Sequence, residues 1–101
     1  MKLIELNMDK IVALCKKHKV AKLWVFGSIL TSRFNAQSDV DLAVSFDKSQ
    51  IDLQDYADNY FDFASELKSM FSRDVDLVCN DSIKNRYFRK ELDATKVLIY
   101  G

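Results

Sequence analysis

The sequence contains no proline and only two glycines. Proline therefore marks no loop and no helix stop, and boundaries must be read from hydrophobic spacing and polar clusters. An excess of charge is missing too: Lys and Arg total 15, and Asp and Glu total 15. A protein that grips nucleic acid by neutralising phosphates carries a basic excess. A general polymerase-like hold is thus disfavoured, and no direct DNA binding is expected. No apolar run approaches the length of a membrane span, and Glu5 and Asp9 follow Lys2 too closely for a signal peptide. Cys15 and Cys79 lack Cys-x-x-Cys spacing and read as free thiols of a cytoplasmic protein. His18 is the only histidine, so no His-based acid–base scheme can be built. Its place among lysines at the end of a helix reads as solvated.

What is present suits one globular domain over residues 1–101, with 49% hydrophobic residues. Residues 7–18 space Met8, Ile11, Val12 and Cys15 as a helix that Asn7 can cap. Residues 21–26, "AKLWVF", read as a strand running into a turn at Gly27. Residues 39–46, "DVDLAVSF", alternate as a strand, with Asp39, Asp41 and Ala43 on one face. Residues 52–71 form the clearest helix, with Leu53, Tyr56, Tyr60, Phe63, Leu67 and Phe71 on its apolar side. Asp52, Asp55, Asp58, Asp62 and Glu66 line the other side, as a solvated stripe or a docking face for a basic partner. Residues 74–79, "DVDLVC", read as a third strand. The terminal "YFRKELDATKVLIY" reads as a helix through Phe88, Leu92, Thr95 and Ile99, although "KVLIY" alone would pass for a strand. The order helix, strand, turn, strand, helix, strand, helix predicts an α/β (α+β) fold with a small mixed sheet flanked by helices.

One region calls for chemistry. Gly27-Ser28 follows an apolar strand, and ten residues later comes Asp39-Val40-Asp41. Buried unpaired charge costs several kcal/mol, and two like charges at i and i+2 repel. A divalent cation between them is the natural remedy, and oxygen-only ligands favour magnesium, manganese or calcium over zinc. Asp74 and Asp76 share one face of the third strand, and either can join the first two carboxylates if the strands are neighbours. Three carboxylates around two metals suit in-line transfer at phosphorus. A glycine-serine turn that opens a short helix exposes backbone N–H groups to an anion, and the Ser28 hydroxyl adds a donor. Gly-Ser alone is a common turn, and Asp-x-Asp alone can cap a loop; the ordered combination is far more specific.

That combination resembles the minimal nucleotidyltransferases of the polymerase-beta-like superfamily, whose signature is Gly-Ser, ten residues, Asp-x-Asp. The likeness runs through "GSILTSRFNAQSDVDL" and "RDVDLVC" to the terminal residues, nearly the whole chain. It implies a nucleotidyltransferase fold and a magnesium-dependent enzyme that uses two ions and ATP. It also implies Asp39, Asp41 and Asp76 as the catalytic, metal-holding carboxylates, with the family pattern choosing Asp76 over Asp74. Gly27 and Ser28 would position the triphosphate. Members resemble the antitoxins of two-gene modules whose toxin is a helical HEPN ribonuclease. In that family AMP passes from ATP to a tyrosine of the toxin. Many members follow Gly-Ser with an arginine, whereas Ile29 stands here, so Arg33 is the first nearby cation for the nucleotide.

Other residues have plainer readings. Asp74 beside Arg73 reads as a strand-start surface residue, and Trp24 as core. Lys84, Arg86, Arg89 and Lys90, interleaved with Tyr87 and Phe88, read as a charged helix start or as contacts to phosphates, a partner or RNA. Two other functions compete with the antitoxin enzyme. One is a non-catalytic module that masks a toxin stoichiometrically. The other is a transferase with a small-molecule acceptor, disfavoured because 101 residues leave no room for an acceptor domain.

Overall fold

A computed structural model describes residues 1–101. Two helices, α1 (Lys2–Leu6) and α2 (Met8–Lys17), lead into strand β1 (Val20–Phe26). A 3-10 turn at Gly27–Leu30 and a loop connect it to β2 (Val40–Phe46). Helix α3 (Tyr56–Phe71), strand β3 (Val75–Cys79), helix α4 (Arg86–Thr95) and strand β4 (Val97–Tyr100) complete the chain. The sheet order is β3-β2-β1-β4. β1 pairs antiparallel with β2 and β4, while β2 and β3 are parallel. A parallel pair needs a crossover, and α3 supplies it. The expected small mixed sheet with flanking helices is therefore present.

β2 lies near the centre and is buried at Val40, Leu42, Ala43, Val44 and Phe46. Its Val40, Leu42 and Val44 join Leu23 and Val25 of β1 in the core under α2 and α3. Helix α3 contributes Phe63, Leu67 and Phe71, spaced four residues apart on one stripe. Leu53 departs from the expected stripe and is 92% exposed. Residues Leu53–Asp55 form a separate 3-10 turn, so Leu53 falls out of phase with the helix. Ser72 ends α3 in a left-handed conformation, at φ 53°, where no glycine is available.

Other local expectations are corrected. Asn7 does not cap α2 through its side chain. Its Nδ2 instead donates to the Leu3 carbonyl at 2.9 Å, joining α2 to an α1 that the spacing of residues 7–18 did not reveal. The terminal segment is not one helix but a helix followed by a strand, so the chain ends β rather than α. Lys96 turns extended, at φ −62° and ψ 146°, and Val97–Tyr100 pairs with the free edge of β1. Phe88, Leu92 and Thr95 stay on α4, while Ile99 goes to the sheet.

His18 is not solvated. It is 6% exposed, and its ring lies 5.4 Å from that of Phe63. Its Nε2 hydrogen-bonds Glu66, Nδ1 lies 3.3 Å from Asn59 Oδ1, and Asn59 Nδ2 donates to the His18 carbonyl at 2.9 Å. Glu66 also pairs with Lys17, so it clamps α2 to α3 rather than belonging to a solvated stripe. Both cysteines are free. Burial pushes the Cys15 thiol up to about 12, which leaves it unreactive at neutral pH.

Phe63 is fully buried and meets both Phe46 and His18. Phe63→Ala is expected to lower unfolding free energy by about 3–5 kcal/mol in urea denaturation, the cost of a large core cavity.

Candidate active site

The site begins where β1 stops. Phe26 is extended, and Gly27 then takes φ +75°. A Cβ built on Gly27 would sit 2.2 Å from Asp41 Oδ2. Glycine is thus required twice, by backbone angle and by close approach. Ile29 is buried and anchors the turn in the core. The Ser28 backbone N–H faces the Asp41 carboxylate and favours its charged form. Thr31 closes the turn by donating its backbone N–H and its hydroxyl to the Ser28 carbonyl, at 2.9 and 2.8 Å.

Sheet register gathers the carboxylates. Asp41 lies opposite Phe26 on β1 and opposite Asp76 on β3. Asp39 stands just before β2. Asp74, which spacing could not separate from Asp76, pairs with Lys68 at 3.1 Å on the surface. Burial raises the Asp41 pKa first, and the charges of Asp76 and then Asp39 raise it further, partly opposed by the Ser28 N–H. Asp39, Asp41 and Asp76 take part in none of the five ion pairs, whose acidic members are Glu66, Asp74 and Asp93. An uncompensated, all-oxygen set of hard donors fits a divalent cation such as magnesium. As the side chains stand, no three acidic, histidine or cysteine groups converge closely enough to hold an ion. The backbone brings the three aspartates together, and their side chains stop short of closing a ligand shell.

The loop from Thr31 to Asp39 is held by a residue that the sequence reading passed over. Arg73 Nη1 donates to the carbonyls of Asn35 and Ser38, at 3.0 and 2.9 Å. Its guanidinium also lies 4.8 Å from the centre of the Phe34 ring. No local signal marks Arg73, because its partners lie more than thirty residues earlier in the chain.

A cavity of about 710 Å³ opens beside the turn. Gly27, Ser28, Thr31 and Arg33 form one wall, and α4 forms the other through Phe88, Glu91, Leu92 and Thr95. Its size suits a small-molecule site. Of the terminal basic residues, Arg89 and Lys96 are both engaged with Asn80 and Asp93. Lys96 Nζ also sits 4.2 Å from the centre of the half-buried Trp24 ring. These contacts pin α4 across the sheet and leave Arg33 as the cation on the cavity wall.

The family described as polymerase beta, nucleotidyltransferase matches residues 9–101. A Methanocaldococcus jannaschii protein, named a candidate protein adenylyltransferase, is 29% identical over 84 residues, covering 83% of this chain and 81% of that one. A solved toxin–antitoxin structure with AMP-PNP superimposes with TM-score 0.71 at 25% identity, covering 94% of this chain and 73% of that one. A solved complex of tri-AMPylated Shewanella oneidensis HEPN toxin with MNT antitoxin gives TM-score 0.65 at 25% identity, covering 96% and 71%.

The raised Asp41 pKa has a consequence for stability. A carboxyl with a folded pKa above its unfolded value favours the fold at low pH and loses that contribution as pH rises through the folded pKa. Without bound cations, Asp41→Asn is therefore expected to raise the melting temperature by a few degrees at neutral pH. The gain should vanish below about pH 4, near the unfolded pKa of aspartate. Thermal melts of both proteins across pH 3–8 check this.

Proposed function

The chain belongs to the polymerase beta nucleotidyltransferase family, and from that premise we propose that it moves AMP from ATP onto a hydroxyl of a HEPN toxin, which it thereby silences. The observation that carries this reading is the seating of the Gly27-Ser28 turn on Asp41, in register with Asp76 and beside the cavity. The relative named for adenylyl transfer and the AMPylated HEPN complex support the reaction and the partner. The AMP-PNP complex, with its ATP analogue, supports the donor.

In this reading residues 1–101 act as one domain. Ser28 and Arg33 hold the triphosphate through hydroxyl and guanidinium groups. Ile29 is buried beneath the turn, which favours Arg33 as the cation that replaces the family's early arginine. Asp39, Asp41 and Asp76 would hold magnesium, as two ions. When bound, the metal neutralises the triphosphate and activates the attacking hydroxyl. The acceptor oxygen, a tyrosine hydroxyl, forms a bond to the α-phosphorus with loss of its proton. The α–β phosphoanhydride breaks and pyrophosphate leaves. Positioning carries much of the rate, so no histidine is needed. No helix is long and apolar enough to cross a membrane, and a cytoplasmic enzyme fits this role.

Incubation with ATP, Mg²⁺ and a HEPN toxin, followed by intact-mass measurement, tests the proposal. The partner should gain one or more AMP units. Asp41→Asn and Asp76→Asn should slow the gain by at least ~10²-fold, the scale for losing a group that stabilises transition-state charge. Asp74→Asn should not. An unchanged partner mass with the toxin still inhibited would leave stoichiometric masking in place of catalysis. Arg33→Ala should raise the KM for ATP about tenfold with a smaller change in kcat, measured under the same conditions.

A further inference from the structure

The wall of the cavity opposite Gly27-Ser28 has its own chemistry. Phe88, Glu91, Leu92 and Thr95 are spaced i, i+3, i+4 and i+7, so a single face of α4 lines the space. Leu92 is buried and forms its floor. The Phe88 ring leans edge-on against Phe26, with centroids 5.9 Å apart, yet it stays 37% exposed and keeps a free surface. Thr95 spends its hydroxyl proton on the Glu91 carbonyl at 2.8 Å, so its oxygen offers the cavity only lone pairs. The Glu91 carboxylate enters no ion pair, and the neighbouring Arg89 and Lys96 are both held by Asp93. Hydrogen-bond donors thus sit on the turn side, and on the α4 side an aromatic surface is edged by acceptors alone.

That polarity matches a nucleotide laid across the cavity, with phosphates on the turn and the base on α4. We propose that Phe88 stacks on the base and that Glu91 accepts a hydrogen bond from its exocyclic amine. Nucleotides with amino-bearing bases then bind ahead of their oxo counterparts. The inference rests on the nucleotidyltransferase reading and adds the basis of donor choice. An oxo group in the same place would bring acceptor against acceptor and leave both unpaired, the arrangement that gives strong discrimination. The wall is also built in advance. Asn85 caps α4 by accepting from the backbone N–H groups of Tyr87 and Phe88, and Arg89 and Lys96 tie the helix to Asn80.

Calorimetric titration of the full chain with the magnesium salts of ATP, ITP, CTP and UTP tests this without any transfer step. ATP and ITP share sugar, phosphates and ring size but differ in amine against oxo, as do CTP and UTP. The chain should bind ATP about tenfold more tightly than ITP, and CTP more tightly than UTP. Glu91 is exposed, so Glu91→Gln should leave the fold intact. Its amide can donate to an oxo group, and both ratios should fall towards one. Phe88→Ala should weaken all four nucleotides by about tenfold, the effect of losing a stacking surface. Equal affinity for ATP and ITP, or a ratio that Glu91→Gln leaves unchanged, would overturn the base-reading inference while the nucleotide site stands. Failure of all four to bind would overturn both.

Discussion

The approach of Gly27 to Asp41 is the constraint on which the site depends. The Asp41 carboxylate occupies the space a Gly27 side chain would need. That contact joins the glycine-serine turn to the acidic strand and fixes their separation. It requires β1 and β2 to pair with Phe26 opposite Asp41, and it leads through the same register to Asp76. A slip of one residue would turn Asp41 into the core and bring Val40 or Leu42 to the open face. The burial of Val40, Leu42 and Val44 opposes such a slip. The hydrophobic alternation of β2 therefore does two things at once. It builds the core on one face and holds the carboxylate on the other.

The two faces of the sheet are covered unequally. Helices α2 and α3 close one face with aliphatic and aromatic side chains, helped by the His18–Glu66 clamp. Phe26, Trp24, Asp41 and Ser45 lie on the other face, alongside their cross-strand partners. Helix α4 covers only part of that face and is tied down by polar contacts of Arg89 and Lys96 with Asn80. The part left open is the cavity. Stability is concentrated on the closed face, so the open face can carry uncompensated charge.

Much of this was legible in the sequence where neighbours in the chain are also neighbours in space. β1, β2, β3 and α3 followed from spacing, and the glycine-serine turn with its aspartates followed from their order. The misses have a common cause. His18 looked solvated because its sequence neighbours are lysines, but the groups that bury it lie on α3, more than forty residues later. Arg73 is silent in sequence because its partners lie in the loop before Asp39. "KVLIY" is too short for its periodicity to decide, and the vacant edge of β1 makes it a strand. Asp74 and Asp76 are alike by spacing, and only Lys68 and the pairing of β2 with β3 set them apart.

The acidic site is maintained against its own charge. The mutual repulsion of Asp41, Asp76 and Asp39 disfavours their approach, and no basic side chain offsets it. What opposes it is the pairing of β2 with β3 and the loop that the Arg73 side chain holds. The carboxylates are therefore placed by the fold, and only their side-chain torsions remain to be set. Preorganisation of this kind confines the cost of assembling the charged site to the folding of the chain. It also explains why removing the Asp41 charge is expected to stabilise the protein.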